Sequence, residues 1–476
     1  MLLVILLAIA ACEDGTGPGD VALTFTPADT TLFSGDSLAI DLSVASGSDP
    51  ASAANAEWTV SDSSVLGVRA LAGGAARVRA RARGTAYVIA TVEDRFVDSA
   101  RVRVVEFGDA RWRVPRLAPH GTTAPALDGQ GRVYSGLFRD STFMALSSEG
   151  TPIFSVSSTW SYLSPAVMAE GTSYTEGRTL QRHAADGGLD WNVDYAYTWV
   201  GHGLAVDADG TVVCLDPGGG PALLRISTAG AELSRTSLGS GAMRASNWAS
   251  APVIAADGAV YVTWSQSDPS PMAPRLSRIS AAGELRWTVP APSPARYTTP
   301  AVFEDRILIT YFDSGIVAFD STGTQLWDRS LPWGASSPVI DAEGNVYVQS
   351  QGGVRSFTPD GTLRWDSDAY LRPRGFSPTT APTLLADGTL LVPCQYDVPS
   401  GDERRQTLCR VDMADGSLVW RRSEGDFITG SIAVAPDGTI YLSEDGDLVA
   451  LWSRIPPLTE GWPTEGGGMG RLRRAR

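Results

Sequence analysis

Short apolar runs of four to six residues alternate with polar turns along most of the chain. A recurring phrase joins a small residue and proline, an apolar run, an acidic turn with glycine, and an apolar–aromatic pair, as in 251–261 and 337–347. Glycine adopts positive φ in such turns without steric cost, so the phrase predicts two antiparallel strands and a tight turn. Full or partial copies begin near Ala124, Ser164, Gly203, Ala251, Thr299, Ser337, Ala381 and Ser431.

A second phrase places an aromatic ring four residues after a glycine. Its ring positions are Trp112, Phe154, Trp191, Trp287, Trp327, Trp365 and Trp420. An eighth copy, Gly230 to Ser234, keeps the glycine and lacks the ring. Repeats of roughly 40–50 residues are typical of propellers and other stacked arrays. Together the two phrases predict about four antiparallel strands per repeat, which is one propeller blade.

The order of the phrases predicts how the ring closes. The copy Gly108 to Trp112 precedes the first proline phrase, whereas no ring copy follows the last one, at 431–451. We expect a strand near Trp112 to complete the last blade and so remove free sheet edges. The prediction is an all-β chain with an eight-bladed propeller over 107–465, or seven blades if the copy at Ser234 belongs to an irregular segment. Each ring is expected to dock between blades and bury roughly 150–250 Å².

The segments 360–365 and 415–420 resemble the motif of PQQ-like, quinoprotein-type propeller repeats with tryptophan docking. The resemblance implies a propeller fold. The dehydrogenases of that family stack their quinone under two adjacent cysteines and use an aspartate base beside Ca²⁺. No two of the four cysteines here are adjacent, so we expect no quinone cofactor. The acids at 207–210 and 341–344 occupy the recurrent turns and no nucleophile elbow or phosphate loop occurs, so we expect no metal and no catalytic residue. A quinone-dependent dehydrogenase remains the alternative.

The chain opens with an apolar run from Leu2 to Ala11, directly before Cys12. A membrane-spanning helix needs about 20 residues, so this shorter run is typical of a secretory signal. Residues 9–12 resemble a bacterial lipobox, which implies a signal peptide at 1–11 and lipidation of Cys12. An ordinary cleaved signal is the alternative. The resemblance implies that an aspartate after the lipidated cysteine would retain the protein in the inner membrane. Because Glu13 follows Cys12 instead, we expect an outer-membrane anchor, with a flexible tether at 12–20.

Residues 21–106 differ in texture from the repeats. Alternating runs at 37–44 and 86–92 predict short strands and a β-sandwich. The domain contains, in this order, Pro27, Leu32, Gly35, Trp58, Val65 and the run 84–86. This order resembles the group 2 bacterial Ig-like domains, which implies a spacer or an adhesive module.

An arginine-rich segment is the most unusual part of this domain. Arg77, Arg79, Arg81 and Arg83 alternate with small residues, so period two places them on one face of a strand. Arg101 and Arg103 are expected on another strand. The face is either a solvated outer surface or a contact for lipid phosphate or an acidic polysaccharide.

The net charge is −15 and every basic residue is arginine, which disfavours non-specific nucleic-acid binding. We expect 466–476 to be a basic tail outside the propeller. His120, His183 and His202 lack metal-ligand spacing and are interpreted as loop or channel-mouth residues. Cys394 and Cys409 flank a polar hairpin segment and are a candidate disulfide in an exported protein, whereas Cys214 is expected to be buried.

These patterns predict a non-catalytic, monomeric, lipid-anchored protein of the cell envelope, facing the periplasm or the cell surface. Its propeller faces would bind a protein or glycan partner. In layout the chain is similar to the propeller lipoprotein of the outer-membrane barrel-assembly machinery. A surface adhesin with an Ig-like spacer is a further alternative, beside the quinone-dependent enzyme.

Overall fold

In the computed structural model the chain forms two compact units; the first ends at Asp109 and the second begins at Ala110. Among the residues that the structure describes, the regular structure consists of 40 β-strands. The structure describes residues 22–45, 53, 55–93, 96–115, 123–137, 142–158, 164–177, 179–194, 203–216, 221–239, 250–266, 273–292, 298–311, 315–332, 334–351, 353–367, 380–397, 404–423, 428–468 and 473–475.

The first unit consists of two four-stranded sheets, with strand orders β1-β3-β6-β5 and β2-β8-β7-β4. The strands are β1 Ala22–Thr26, β2 Asp29–Phe33, β3 Ser37–Ala45, β4 Glu57–Val60, β5 Leu66–Ala70, β6 Ala75–Ala80, β7 Gly84–Val92 and β8 Phe96–Val105. The strands predicted at 37–44 and 86–92 are confirmed as β3 and β7. The inward residues of both sheets form one core, which includes Ile40, Leu66, Val78, Val88 and Val102.

The second unit contains eight four-stranded sheets, numbered here in chain order. Sheet I comprises β10 Ala126–Leu127, β11 Val133–Leu137, β12 Thr142–Leu146 and β13 Pro152–Ser157, and sheet II comprises β14 Ala166–Val167, β15 Ser173–Glu176, β16 Thr179–His183 and β17 Leu189–Asp194. Sheet III comprises β18 Leu204–Val206, β19 Val212–Asp216, β20 Ala222–Ile226 and β21 Glu232–Ser237. Sheet IV comprises β22 Val253–Ile254, β23 Val260–Gln266, β24 Ala273–Ile279 and β25 Leu285–Pro290.

Sheets V to VIII continue the pattern. Sheet V comprises β26 Ala301–Phe303, β27 Arg306–Tyr311, β28 Gly315–Asp320 and β29 Gln325–Ser330, and sheet VI comprises β30 Val339–Ile340, β31 Val346–Ser350, β32 Gly353–Phe357 and β33 Leu363–Asp366. Sheet VII comprises β34 Thr383–Leu384, β35 Thr389–Asp397, β36 Arg404–Asp412 and β37 Leu418–Arg421. Sheet VIII comprises β38 Ile428–Val434, β39 Ile440–Glu444, β40 Asp447–Leu451 and β9 Ala110–Val114. The predicted β-propeller fold is confirmed by these sheets.

The acidic turns join the first two strands of a sheet. Asp341 illustrates the chemistry: its Oδ1 accepts the backbone N–H groups of Glu343 and Asn345, and its Oδ2 accepts the hydroxyl of Tyr347. Gly344 completes the turn with φ +81°, a conformation that glycine adopts at little cost. The turn aspartates are therefore occupied by local hydrogen bonds.

The sheets close into a ring through the predicted N-terminal strand. β9 pairs with β40, with Trp112 opposite Ala450, so the strand expected near Trp112 does complete the last sheet. Buried Glu444 on β39 binds Arg113 of β9 and Arg422, the residue after β37 of sheet VII, so it ties the N-terminal strand to two neighbouring sheets. Ala433, Tyr441, Leu448 and Ala450 of sheet VIII pack in one cluster with Leu127, Val133 and Leu146 of sheet I.

Residues 456–468 and 473–475, here called the C-terminal segment, lie at the centre of this ring. The backbones of Trp462 and Ile340 exchange two hydrogen bonds, and Ile254 is bridged to residues 473–475 in the same way. Ile340 and Ile254 belong to β30 and β22, the first strands of their sheets. The expectation of a basic tail outside the propeller is wrong for the described residues of 466–476, because main-chain hydrogen bonds hold the segment against the inner strands.

Candidate functional site

Six of the predicted docking rings lie against the glycine of the next sheet. A Cβ atom built on each of these glycines would lie 2.5–3.2 Å from a ring atom. The glycines also have φ between +77° and +91°, so glycine alone satisfies both the space and the backbone. The pairs are Trp112 with Gly150, Phe154 with Gly187, Trp191 with Gly230, Trp287 with Gly323, Trp327 with Gly361, and Trp365 with Gly416. The seventh ring, Trp420, is half-buried on β37.

Each of the five tryptophans in these pairs also donates a hydrogen bond across the boundary between two neighbouring sheets, here called the seam. The indole Nε1–H binds a backbone carbonyl of the following sheet at 2.7–3.1 Å; the acceptors are Ser148, Thr228, Ser321, Pro359 and Met413. A buried indole N–H requires such a partner. One side chain therefore supplies both apolar contact and a directional bond, which defines how neighbouring sheets pack.

The seam between sheets III and IV has a different construction. Ser234 stands where the ring is missing, and its hydroxyl is buried without a hydrogen-bond partner among the described residues. Arg225, directly opposite Ser234 in the β20–β21 pair, donates from Nη1 to the carbonyl of Ala281 at 2.5 Å. Ala281 lies two residues before Gly283. At four of the five indole seams the carbonyl acceptor likewise lies two residues before the docking glycine. Arg225 thus takes the hydrogen-bonding role of the absent indole.

The role of Arg225 is not apparent from the sequence, because arginines at equivalent positions have a different partner. Arg182, Arg278 and Arg410 occupy the same place opposite a tryptophan, and each binds an aspartate of its own sheet. An arginine at this position therefore carries no distinctive signal. The absence of the ring at Ser234 was the available signal, but it does not reveal which neighbour compensates.

The channel at the centre of the ring contains three notable side chains of the C-terminal segment. Trp462 is 1% exposed and packs with the core of sheets IV to VI. The carboxylate of Glu465 accepts the hydroxyls of Ser337 in sheet VI and Ser431 in sheet VIII. Arg473 is buried and donates from Nη1 to the carbonyl of Leu204 in sheet III at 2.7 Å.

The electrostatics of Arg473 follow from its burial. Desolvation lowers the pKa of its guanidinium, and the carboxylates of Glu465 and Glu176 oppose that shift. Backbone N–H groups of Leu384 and Ala386 donate to the carbonyls of Pro463 and Pro456, which adds sheet VII to the contacts. The segment thus binds inner strands of five sheets, and the chain itself occupies this part of the channel. The sequence signal was an indole within a proline- and glycine-rich end, without strand periodicity.

The histidine interpretation is partly wrong. His183 lies on β16 rather than in a loop, is 1% exposed, and contacts the ring of Phe143 with centroids 5.2 Å apart. Burial lowers the pKa of its imidazole. His120 and His202 lie outside the described residues. Within the described part of the chain, no cluster of three or more histidine, cysteine, aspartate or glutamate side chains is arranged to hold a metal.

The cysteines occupy sheets III and VII. Cys394 and Cys409 form a disulfide that joins β35 and β36, and Cys214 is a free thiol on β19, fully buried as predicted. Burial raises the pKa of the Cys214 thiol, so it stays protonated and behaves as a small apolar side chain. Cys12 and the signal region precede the described residues. No helix in the described ranges has the length and hydropathy needed to cross a bilayer.

The predicted arginine strand is shorter than expected. β6 ends at Ala80, so Arg77 and Arg79 are on the strand, whereas Arg81 and Arg83 follow it. Arg101 and Arg103 belong to β8 in the other sheet and do not extend the same face.

Comparison with known proteins supports the propeller. A family model described as outer membrane protein assembly factor BamB matches residues 273–423, which include three of the six docking glycines, Gly323, Gly361 and Gly416. BamB from Moraxella catarrhalis superposes with a TM-score of 0.51 at 16% identity, over 72% of this chain and 99% of that one. No curated protein matches the sequence.

Two further structures share the fold. The computationally designed Ika8 protein gives a TM-score of 0.54 at 14% identity, over 73% of this chain and all of that one. The C-terminal WD40 domain of Sif2 gives 0.50 at 12% identity, over 73% and 99% of the two chains. At these identities the similarity concerns the fold alone.

Proposed function

We propose that this protein is a non-catalytic, lipid-anchored scaffold of the bacterial outer membrane, whose eight-bladed propeller binds a protein or glycan partner. The occupied channel carries the proposal. Trp462, Glu465 and Arg473 take up the inner-strand hydrogen bonds and burial that a channel ligand would need. The outer surfaces are then left for a partner, and the loops of a propeller commonly carry such specificity.

The remaining parts fit this role. The lipobox-like residues 9–12 would place the lipid on Cys12, and the first unit would serve as an Ig-like spacer. The match of residues 273–423 to the BamB family model supports an envelope scaffold rather than an enzyme. The chain would act as a monomer that faces the periplasm or the cell surface.

The first experiment tests the anchor. Mass spectrometry of the mature protein from envelopes should find Cys12 acylated at the N-terminus. The Cys12→Ser variant should leave the membrane fraction. An unmodified mature N-terminus in the wild-type protein would refute the anchor.

The second experiment tests the binding role. Cross-linking on intact envelopes, followed by detergent extraction and pull-down, should enrich one partner reproducibly with the wild-type protein. The Cys12→Ser variant should not enrich that partner. Titration with PQQ and Ca²⁺ should produce no change in absorbance. A saturable change with quinone turnover would support the dehydrogenase alternative and overturn the scaffold.

A further inference from the structure

The outer face of the sheet β1-β3-β6-β5 carries unpaired arginines. Arg77 and Arg79 alternate with buried Ala76, Val78 and Ala80, so their side chains stand on the solvent side of β6. The register places Arg69 of β5 directly opposite Arg77. None of Arg69, Arg77 and Arg79 has an ion-pair partner within the described part of the chain.

A fourth arginine lies over the same face. A Cβ atom built on Gly67 would lie 2.9 Å from Nη2 of Arg81, so this guanidinium covers the glycine. Gly67 is itself opposite Arg79 in the β5–β6 pair. Arg81 also donates from Nη1 to the carbonyl of Ser63 at 2.7 Å, which holds the side chain against the sheet.

The surroundings of these arginines are small and almost without acid. Across from Arg77 and Arg79 on β3 stand Ala39 and Ser37. On the outward positions of the four described strands, Asp41 is the one carboxylate, and it lies opposite Ala75 rather than an arginine. The result is a flat face of small residues from which guanidinium groups project.

This arrangement costs stability in the isolated domain. Like charges directly opposite each other on neighbouring strands destabilise a sheet, and the Arg69–Arg77 pair has no local acid to offset the repulsion. By contrast, Arg101 on the other sheet lies 3.2 Å from Asp29. An external anion that docks on this face would relieve the repulsion, because the fold itself supplies no compensating charge there.

We propose that Arg69, Arg77, Arg79 and Arg81 form a docking face for the anionic headgroups of a membrane. Guanidinium groups bind phosphate with paired N–H donors, and a flat sheet fits a flat lipid surface. The choice of a membrane rests on the proposed anchor at Cys12. β1 of this same sheet begins at Ala22, and the ten intervening peptide units span at most about 35 Å. The tether thus keeps the arginine face within reach of the bilayer.

The test uses the chain without residues 1–12, so that no acyl group contributes. Binding to vesicles of phosphatidylcholine with and without phosphatidylglycerol is measured by co-sedimentation at low and high salt. We expect binding to the anionic vesicles alone, with loss at about 1 M salt, where the Debye length falls to about 3 Å. The double variant Arg77→Gln/Arg79→Gln should bind about 25-fold more weakly, at about fivefold per arginine.

Arg101→Gln is the matched control, because it removes one exposed, ion-paired arginine from the other sheet; it should bind like the unsubstituted chain. Thermal unfolding should show that the double variant is folded and no less stable, since it relieves like-charge repulsion. Equal binding by the double variant, binding to neutral vesicles, or binding only to an acidic polysaccharide would each overturn the proposal. An unmodified Cys12 in cells would instead refute the anchor, and the vesicle result would stand independently.

Discussion

The seam between sheets V and VI and the seam between sheets III and IV solve one packing problem with different chemistry. At the first, Trp327 covers Gly361 and donates to the carbonyl of Pro359. At the second, Ser234 faces Gly283 and Arg225 supplies the hydrogen bond. The indole combines apolar burial with the bond, whereas the arginine supplies the bond and retains a charge near the surface. The glycine is kept at both seams because its backbone conformation is needed in either case.

The largest loss of stability is expected when a docking ring is removed. Trp327→Ala should lower the free energy of unfolding by about 3–5 kcal/mol, because a buried indole is replaced by a cavity. Urea denaturation of the second unit measures this loss. Ser234→Ala is the matched control at the ring-less seam and should change stability by less than about 0.5 kcal/mol. Equal losses at the two positions would show that the ring has no special role.

The docking glycine should be nearly as sensitive. Gly361→Ala places a Cβ atom 2.5 Å from Cδ2 of Trp327 at φ +80°. We expect a loss of about 3 kcal/mol, from overpacking and backbone strain together. Gly388 has φ +79°, and a Cβ atom at this position would meet nothing within 4 Å, so Gly388→Ala isolates the strain and should cost about 1 kcal/mol. If both variants lose the same amount in thermal unfolding, ring contact does not explain the glycine.

The ring-less seam permits a sharper test. Arg225→Met should lose about 1.5–3 kcal/mol, because the charge-assisted bond to Ala281 and the ion pair with Asp207 at 3.7 Å both disappear. Ser234→Trp in that background should recover much of the loss by restoring an indole donor. A double-mutant cycle with urea denaturation measures this coupling. Additive effects would contradict the view that Arg225 replaces the indole.

The smallest effect is expected at the seam of sheets I and II, which Phe154 and His183 share. Because burial lowers the pKa of His183, the unfolded chain binds the extra proton more readily than the folded one. Its contribution to stability is therefore complete above the unfolded pKa of about 6.5 and declines as the pH falls below it. Melting temperatures between pH 8 and pH 5.5 measure the decline, which His183→Gln should reduce. An unchanged pH profile in that variant would show that other groups are responsible.

The predictability of the molecule differs between its repeated and unrepeated parts. The docking phrases and the pairing of β9 with β40 followed from the order of the repeats, since each repeat reports on the others. The strands at 37–44 and 86–92, outside the repeats, followed from local alternation of apolar and polar residues. The histidine at 183 was misplaced because a single residue carries no period. The extent of the arginine strand was also overestimated, because alternation continues in sequence beyond the point where the ladder of hydrogen bonds ends at Ala80.

Turn glycines, apolar runs and recurrent rings determine the sheets of this protein through interactions within a few residues. The sequence alone therefore predicts them. The channel contents and the compensation at the ring-less seam depend on which distant surfaces meet. Arg473 reads as an exposed cation in a basic tail, yet it is buried against Leu204 because the C-terminal segment satisfies the main-chain groups of the inner strands. Such contacts arise only when the ring has closed and its inner edges present a common set of donors and acceptors.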